Sequence, residues 1–166
     1  LVENFRPGKL PNGYKNLIKR GMMVMNFDRE CFYCTKENRL QELMAEVCQL
    51  NKSVVYLFKD QTFRGRCVVA YREHYTELFQ LTPAELHEYM DEVAGVAQVM
   101  FDKLKPKKIS YAIFGDLVPH IHYHLVPKYE NGTLWGDFFC SKSLPVTTLP
   151  EAEFEALRKL FAENLR

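Results

Sequence analysis

The sequence predicts an α+β fold, an antiparallel β-sheet with helices packed on one face. Three observations carry this expectation. β-branched and aromatic runs come in pairs, "SVVYLF" with "RCVVAY" and "ISYAIF" with "HIHYHLV", each pair joined by a connection short enough for a hairpin. A long amphipathic segment with a full set of helix-start signals lies between the pairs. The elements also lack the regular strand and helix alternation that builds a parallel sheet.

Residues 1–21 mix Pro, Gly, Lys and Arg without a sustained period, which predicts an N-terminal extension or arm. A single domain then spans 22–166, with 136–166 as its C-terminal segment and helix. In "TKENRLQELMAEVCQL", Leu40, Leu43, Met44, Val47 and Leu50 recur at helical spacing behind Thr35 as a cap, predicting a first helix after Cys31 and Cys34. Strands are expected at 53–58 and 66–71, joined by "KDQTFRG", whose Gly65 ends the connection. The long helix starts with Thr82 as N-cap, Pro83 in the first position and Glu85 completing a capping box. Leu86, Tyr89, Met90, Val93, Val96 and Met100 make its apolar face. A strand at 109–114 ends at Gly115-Asp116, and Pro119 introduces the next. From about Pro150, Phe154, Leu157, Phe161 and Leu165 line one side of a closing helix.

With 166 residues, 47% of them hydrophobic, and a net charge of +1, the chain is long enough to bury one core. No run approaches the roughly 18 apolar residues of a membrane span, so no membrane partner is expected. The balanced charge provides no field for a polyanion, so nucleic acid is not suggested, although a small phosphorylated ligand needs only local donors. Five scattered cysteines, an odd number, do not make a secreted disulfide framework and point to a reducing, cytoplasmic compartment.

The chemistry concentrates in "HIHYHLVP". Three of the five histidines stand at alternate positions there; the others are His74 and His87, the latter read as ordinary surface. In an extended strand His120, His122, His124 and Val126 share one side, while Ile121, Tyr123 and Leu125 pack on the helices. The rings are spaced roughly 7 Å apart along the strand. Three rings on one metal would overshoot its coordination sphere, so a site giving each ring a different task is the better reading.

His120-Ile-His122-Tyr-His124-Leu-Val resembles the histidine triad (HIT) pattern of nucleotide hydrolases and transferases. The chain looks most like the zinc-containing branch related to diadenosine polyphosphate hydrolases. The resemblance runs from about Cys31 through Trp135 and includes "VVYLFKDQTFRGRCVVAYREH" and "FGDLVPHIHYHLVPKY". It implies a HIT-like sheet extended across a homodimer, a nucleotide or dinucleotide substrate, and His122 as the nucleophile of a double displacement through a nucleotidyl-histidine. The second ring nitrogen of His122 should donate to a backbone carbonyl, leaving the attacking nitrogen bare. His124 would hold a nonbridging phosphate oxygen, and amides around Gly115 would stabilise developing charge, although Gly115 could also serve only the turn.

Cys31 and Cys34 have a spacing suited to a tetrahedral ion, with a redox pair or two uninvolved thiols as the alternatives. The resemblance completes the site with His74 and His120 as a closed, structural Zn²⁺ centre. It also assigns Asp60 to the ribose hydroxyls, where the plain alternative is a polar turn residue. Phe58 and the apolar positions nearby are suited either to sandwiching a base or to core packing.

Several positions depart from the family pattern. Asp116 and Leu117 stand where relatives carry an amide and a hydroxyl; an anionic Asp116 beside a polyphosphate must be protonated, face away or share a divalent cation. Arg66 replaces a frequent histidine, and Lys128 a frequent arginine. The aromatic "YENGTLWGDFF" either borders the active site or packs as a loop. The expected activity is cleavage of an α-phosphate bond in a nucleoside phosphoanhydride or phosphoramidate. Its rivals are a nucleotide- or partner-binding protein with little turnover and a zinc-binding interaction module.

Overall fold

The structure, a computed structural model, describes residues 26–139 and 144–165. The expected arm over 1–21 lies outside them. In chain order come α1 (Phe32–Thr35), α2 (Asn38–Leu43), β1 (Met44–Gln49), β2 (Ser53–Phe58), β3 (Cys67–Tyr71), a 3₁₀ turn (Leu78–Gln80), α3 (Pro83–Leu104), β4 (Lys108–Ile113), β5 (His122–Lys128) and α4 (Glu151–Asn164). The strands form one antiparallel sheet in the order β1-β2-β3-β5-β4. α3 and α4 cover one face, and the main core lies beneath them: Val55, Leu57, Val69, Ile121 and Leu125 from the sheet against Tyr89, Val93, Val96, Met100, Leu157 and Phe161. This is the expected fold class. The short α1 and α2 pack on the opposite face, in a second cluster with Val54, Tyr56, Val68 and Ala70.

Local chemistry sets most boundaries. Thr82 accepts from the Glu85 amide while the Glu85 side chain accepts from the Thr82 amide, so α3 starts at the predicted box. The buried Tyr89 hydroxyl donates to the Val69 carbonyl at 2.8 Å, joining α3 to β3 without leaving a polar atom unsatisfied. Gly65 has φ of +88°, and a Cβ there would stand 2.3 Å from Leu104 Cδ1, so only glycine serves in the turn that delivers Arg66 to the head of β3.

The predicted first helix over 35–50 is the principal departure. Its first part forms α2, but Thr35 ends α1 instead of capping a helix, and Met44–Gln49 is strand β1. Met44 packs with Cys31 and Leu40 on one face of the sheet, whereas Val47 and Leu50 face α3 and α4 on the other. A bulge between Glu46 and Cys48 adds a residue to the alternation. Two covered faces and one bulge thus place apolar residues three apart, which reads as a helix in one dimension.

Candidate active site and metal centre

β5 carries His122 and His124 between β3 and β4, and His120 stands two residues ahead of it. Ala70 stands opposite His122, and His124 lies between Val68 and Ala112, so small neighbours leave the rings room on that face. All three rings are buried. Ile121, Tyr123 and Leu125 point to the helical core, as the alternation predicts.

Each ring has one nitrogen committed to a partner of fixed polarity. His120 Nε2 donates to the Tyr71 carbonyl at 2.8 Å, which leaves Nδ1 bare and 3.4 Å from Cys31 Sγ. His122 Nδ1 donates to the His120 carbonyl at 2.6 Å, leaving Nε2 bare, the arrangement a nucleophile requires. For His124 the polarity is reversed. Arg66 Nη2 lies 3.2 Å from its Nδ1, and a guanidinium can only donate, so Nδ1 accepts and the proton sits on Nε2. Burial lowers the pKa of all three: to about 4 for His120, to about 3 for His124 with Arg66 adding to the effect, and below the usual imidazole range for His122. The row is therefore neutral at physiological pH.

The four residues expected at the metal do meet. One ligand atom from each of Cys31, Cys34, His74 and His120 falls within 4.8 Å of the others. Cys31 forms the start of α1 and Cys34 lies one turn on, so both sulfurs project from the same side of a single turn. Cys34 Sγ is 3.5 Å from His74 Nδ1 and 3.8 Å from His120 Nδ1. A tetrahedron with Zn–S and Zn–N bonds of the usual length has edges of about 3.3–3.8 Å, so the set fits a four-coordinate ion. His74 turns its Nε2 to Asp28 Oδ2 at 3.5 Å, the carboxylate support that orients a ligating imidazole. Burial pushes the Cys34 thiol up to about 11, a cost that a bound divalent cation offsets.

The Tyr33 ring, from α1, packs 5.0 Å from His120 and 5.1 Å from His122, so the cluster and the row share a wall. Phe58, Phe114 and Phe139 surround His124, with ring centres 5.7–6.2 Å away. Phe58 also has the Arg66 guanidinium 4.1 Å from its ring centre, so it packs on the site's own cation. Asp60 Oδ1 accepts from the amide and hydroxyl of Thr62, closing a polar turn, while its Oδ2 has no hydrogen bond among the described residues. Gly115 and Asp116 lie exposed between β4 and His120. Gly115 does not have positive φ, and a Cβ there would be no nearer than 3.9 Å to Thr76 O, so the turn itself does not require glycine. His87 is on the surface, near Asp91.

The model of the HIT domain matches residues 36–131, more than half of the chain. The chain belongs to the HIT domain family. Among solved structures this HIT chain is similar to a histidine triad protein from Bradyrhizobium japonicum, at 19% identity and a TM-score of 0.71 over 78% of this chain and 96% of that one. A histidine triad protein from Sinorhizobium meliloti gives 20% identity and 0.71 over 87% and 99%. A zinc-bound histidine triad family protein from Mycobacterium smegmatis gives 19% and 0.51 over 71% and 84%. At these identities the likeness establishes the fold. No curated protein matches the chain significantly.

Three features of this HIT site escape the sequence reading. Arg66 bonds to His124 from 58 residues away. Tyr33, inside the cysteine pair, walls the row. Lys128 is buried, and its ammonium donates to the carbonyls of Thr133, Leu134 and Asp137, anchoring the segment that carries Phe139. The available signal was the departure at 66 and 128 itself, since a buried cation must find acceptors or aromatic faces.

Proposed function

We propose that this HIT domain, spanning 22–166, is a nucleotide hydrolase or nucleotidyl transferase that cleaves an α-phosphate bond of a dinucleoside polyphosphate or nucleoside phosphoramidate. One observation carries the reading: His122 and His124, with ring centres 5.1 Å apart, are held in opposite tautomers, one with a bare Nε2 and the other with an Nε2–H. A nucleophile and an oxyanion donor side by side suit in-line attack at phosphorus.

His122 Nε2 attacks the α-phosphorus; the N–P bond forms, the bond from phosphorus to the leaving oxygen or nitrogen breaks, and a leaving nitrogen takes its proton from solvent. The Nε2–H of His124 holds a nonbridging oxygen throughout. Water or another acceptor then attacks the same phosphorus and releases its proton to solvent, the N–P bond breaks, and His122 is regenerated. Asp60 Oδ2 is free to accept from a ribose hydroxyl, and amides at Gly115 are open to phosphate, with Phe58 on the base side. A divalent cation travelling with the substrate would offset the charge of Asp116. Cys31, Cys34, His74 and His120 would hold a structural zinc that supplies no chemistry and fixes the entry of β5. Cys31, Cys34 and Cys67 form no disulfide, which suits a reducing, cytoplasmic setting, and no described helix is long and apolar enough to cross a membrane. We also propose a homodimer joined through the sheet.

His122→Ala should keep the melting profile and lose turnover of diadenosine polyphosphate and adenosine phosphoramidate by at least about a hundredfold. Unchanged turnover in the folded variant sinks the assignment. Tight nucleotide binding by a wild-type protein without turnover on either substrate would favour a binding protein instead.

A further inference from the structure

Arg66 is 6% exposed, stacked on Phe58 at 4.1 Å and within 5.4 Å of the Phe139 ring centre. Only Nη2 has a polar partner, His124 Nδ1; Nε and Nη1 are buried without one. Among the described residues no carboxylate pairs with it, and Asp60 acts on it only at longer range. Packing gives no reason for a guanidinium here, because an apolar side chain would fill the space between two phenylalanines without burying idle donors. What arginine adds is a positive charge that persists across the working pH range and a group that donates but never accepts.

Both properties act on one atom. A permanent donor on Nδ1 forbids a proton there, and a permanent cation beside the ring opposes the imidazolium. We propose that Arg66 is a positioning residue that keeps His124 a neutral Nε2–H donor, so the group facing the phosphate oxygen never changes state while the enzyme works. The proposal rests on the phosphate-facing role given to His124 above. The other groups around the ring are His122 on the same strand and the uncharged Phe58, Phe114 and Phe139. With Arg66 gone, no cation in contact with the ring would oppose its protonation.

The test is ¹⁵N NMR of the imidazoles in the metal-loaded protein, without substrate, between pH 8 and 5. Wild-type His124 should show a bare Nδ1 and a protonated Nε2 throughout. In Arg66→Met the neutral ring should lose its fixed tautomer, with part of the proton population on Nδ1, and Arg66→Lys should restore the bare Nδ1. A wild-type His124 protonated at Nδ1, or an Arg66→Met ring that keeps the wild-type tautomer, overturns the proposal. The wild-type measurement stands even if Arg66→Met does not fold. Since no arm of the experiment involves turnover, its failure is distinct from failure of His122 as nucleophile.

Discussion

The three imidazoles of the row differ because each partner has a fixed polarity: carbonyls for His120 and His122, a guanidinium for His124. Their common burial has a consequence for stability. Folded His124 binds a proton only near pH 3, whereas an unfolded imidazole does so near 6.5. Between those values the unfolded chain holds more protons, so stability is complete above about pH 6.5 and falls as pH drops toward 3. At pH 5 the loss from His124 alone is about 2 kcal/mol. Urea midpoints measured from pH 7.5 to 4.5 should fall accordingly, and His124→Gln, which cannot titrate, should flatten the curve; an identical slope would show that His124 is not the source. The alternation of the row was legible in the sequence because strand geometry is local. The partners were only half legible: the carbonyl on His122 follows from the needs of a nucleophile, but Arg66 reaches His124 through the pairing of β3 with β5, which composition does not encode.

At the scale of elements, the sequence was clearest where a helix buries one face, as in α3, which also starts at a capping box, and α4. It misled at β1, where Met44 and Val47 serve opposite faces across a bulge. α1 is a different case, four residues long and far below the length at which a helix is stable alone. Its cysteines meet His74 and His120, so a metal would tie α1 to the entry of β5. The purified protein should therefore contain about one zinc per chain by elemental analysis, and Cys34→Ser should contain little. Loss of the metal should speed amide exchange over 31–36 and lower the melting temperature, since binding of structural zinc is folding free energy. A wild-type protein purified without chelator and free of zinc, or a Cys34→Ser variant with a full complement, would dismiss the cluster as a metal centre.

The whole sheet has two unequal edges. Along β1, α4 covers the strand, and Arg158 Nη1 donates to the Glu46 carbonyl at 3.2 Å. Along β4, Tyr111, Ile113 and Phe114 are 40–50% exposed, and Phe138 beside them is 90% exposed. These residues border an open groove of about 780 Å³ between β4 and 136–139. An apolar edge with unpaired backbone groups invites another strand, and a second copy of β4 meeting it about a two-fold axis would satisfy both edges at once. That is the homodimer proposed above, and its continuous sheet would place two histidine rows on one platform. Ile113→Lys tests it, because Ile113 is exposed enough in the single chain for the substitution to leave the monomer folded. Two-fold symmetry enters the change twice, and each uncompensated charge buried in an interface costs about 3 kcal/mol or more. Sedimentation should show a dimer for the wild type and a folded monomer for the variant. A wild-type monomer removes the dimer from the reading, whereas a variant that stays dimeric moves the interface away from β4.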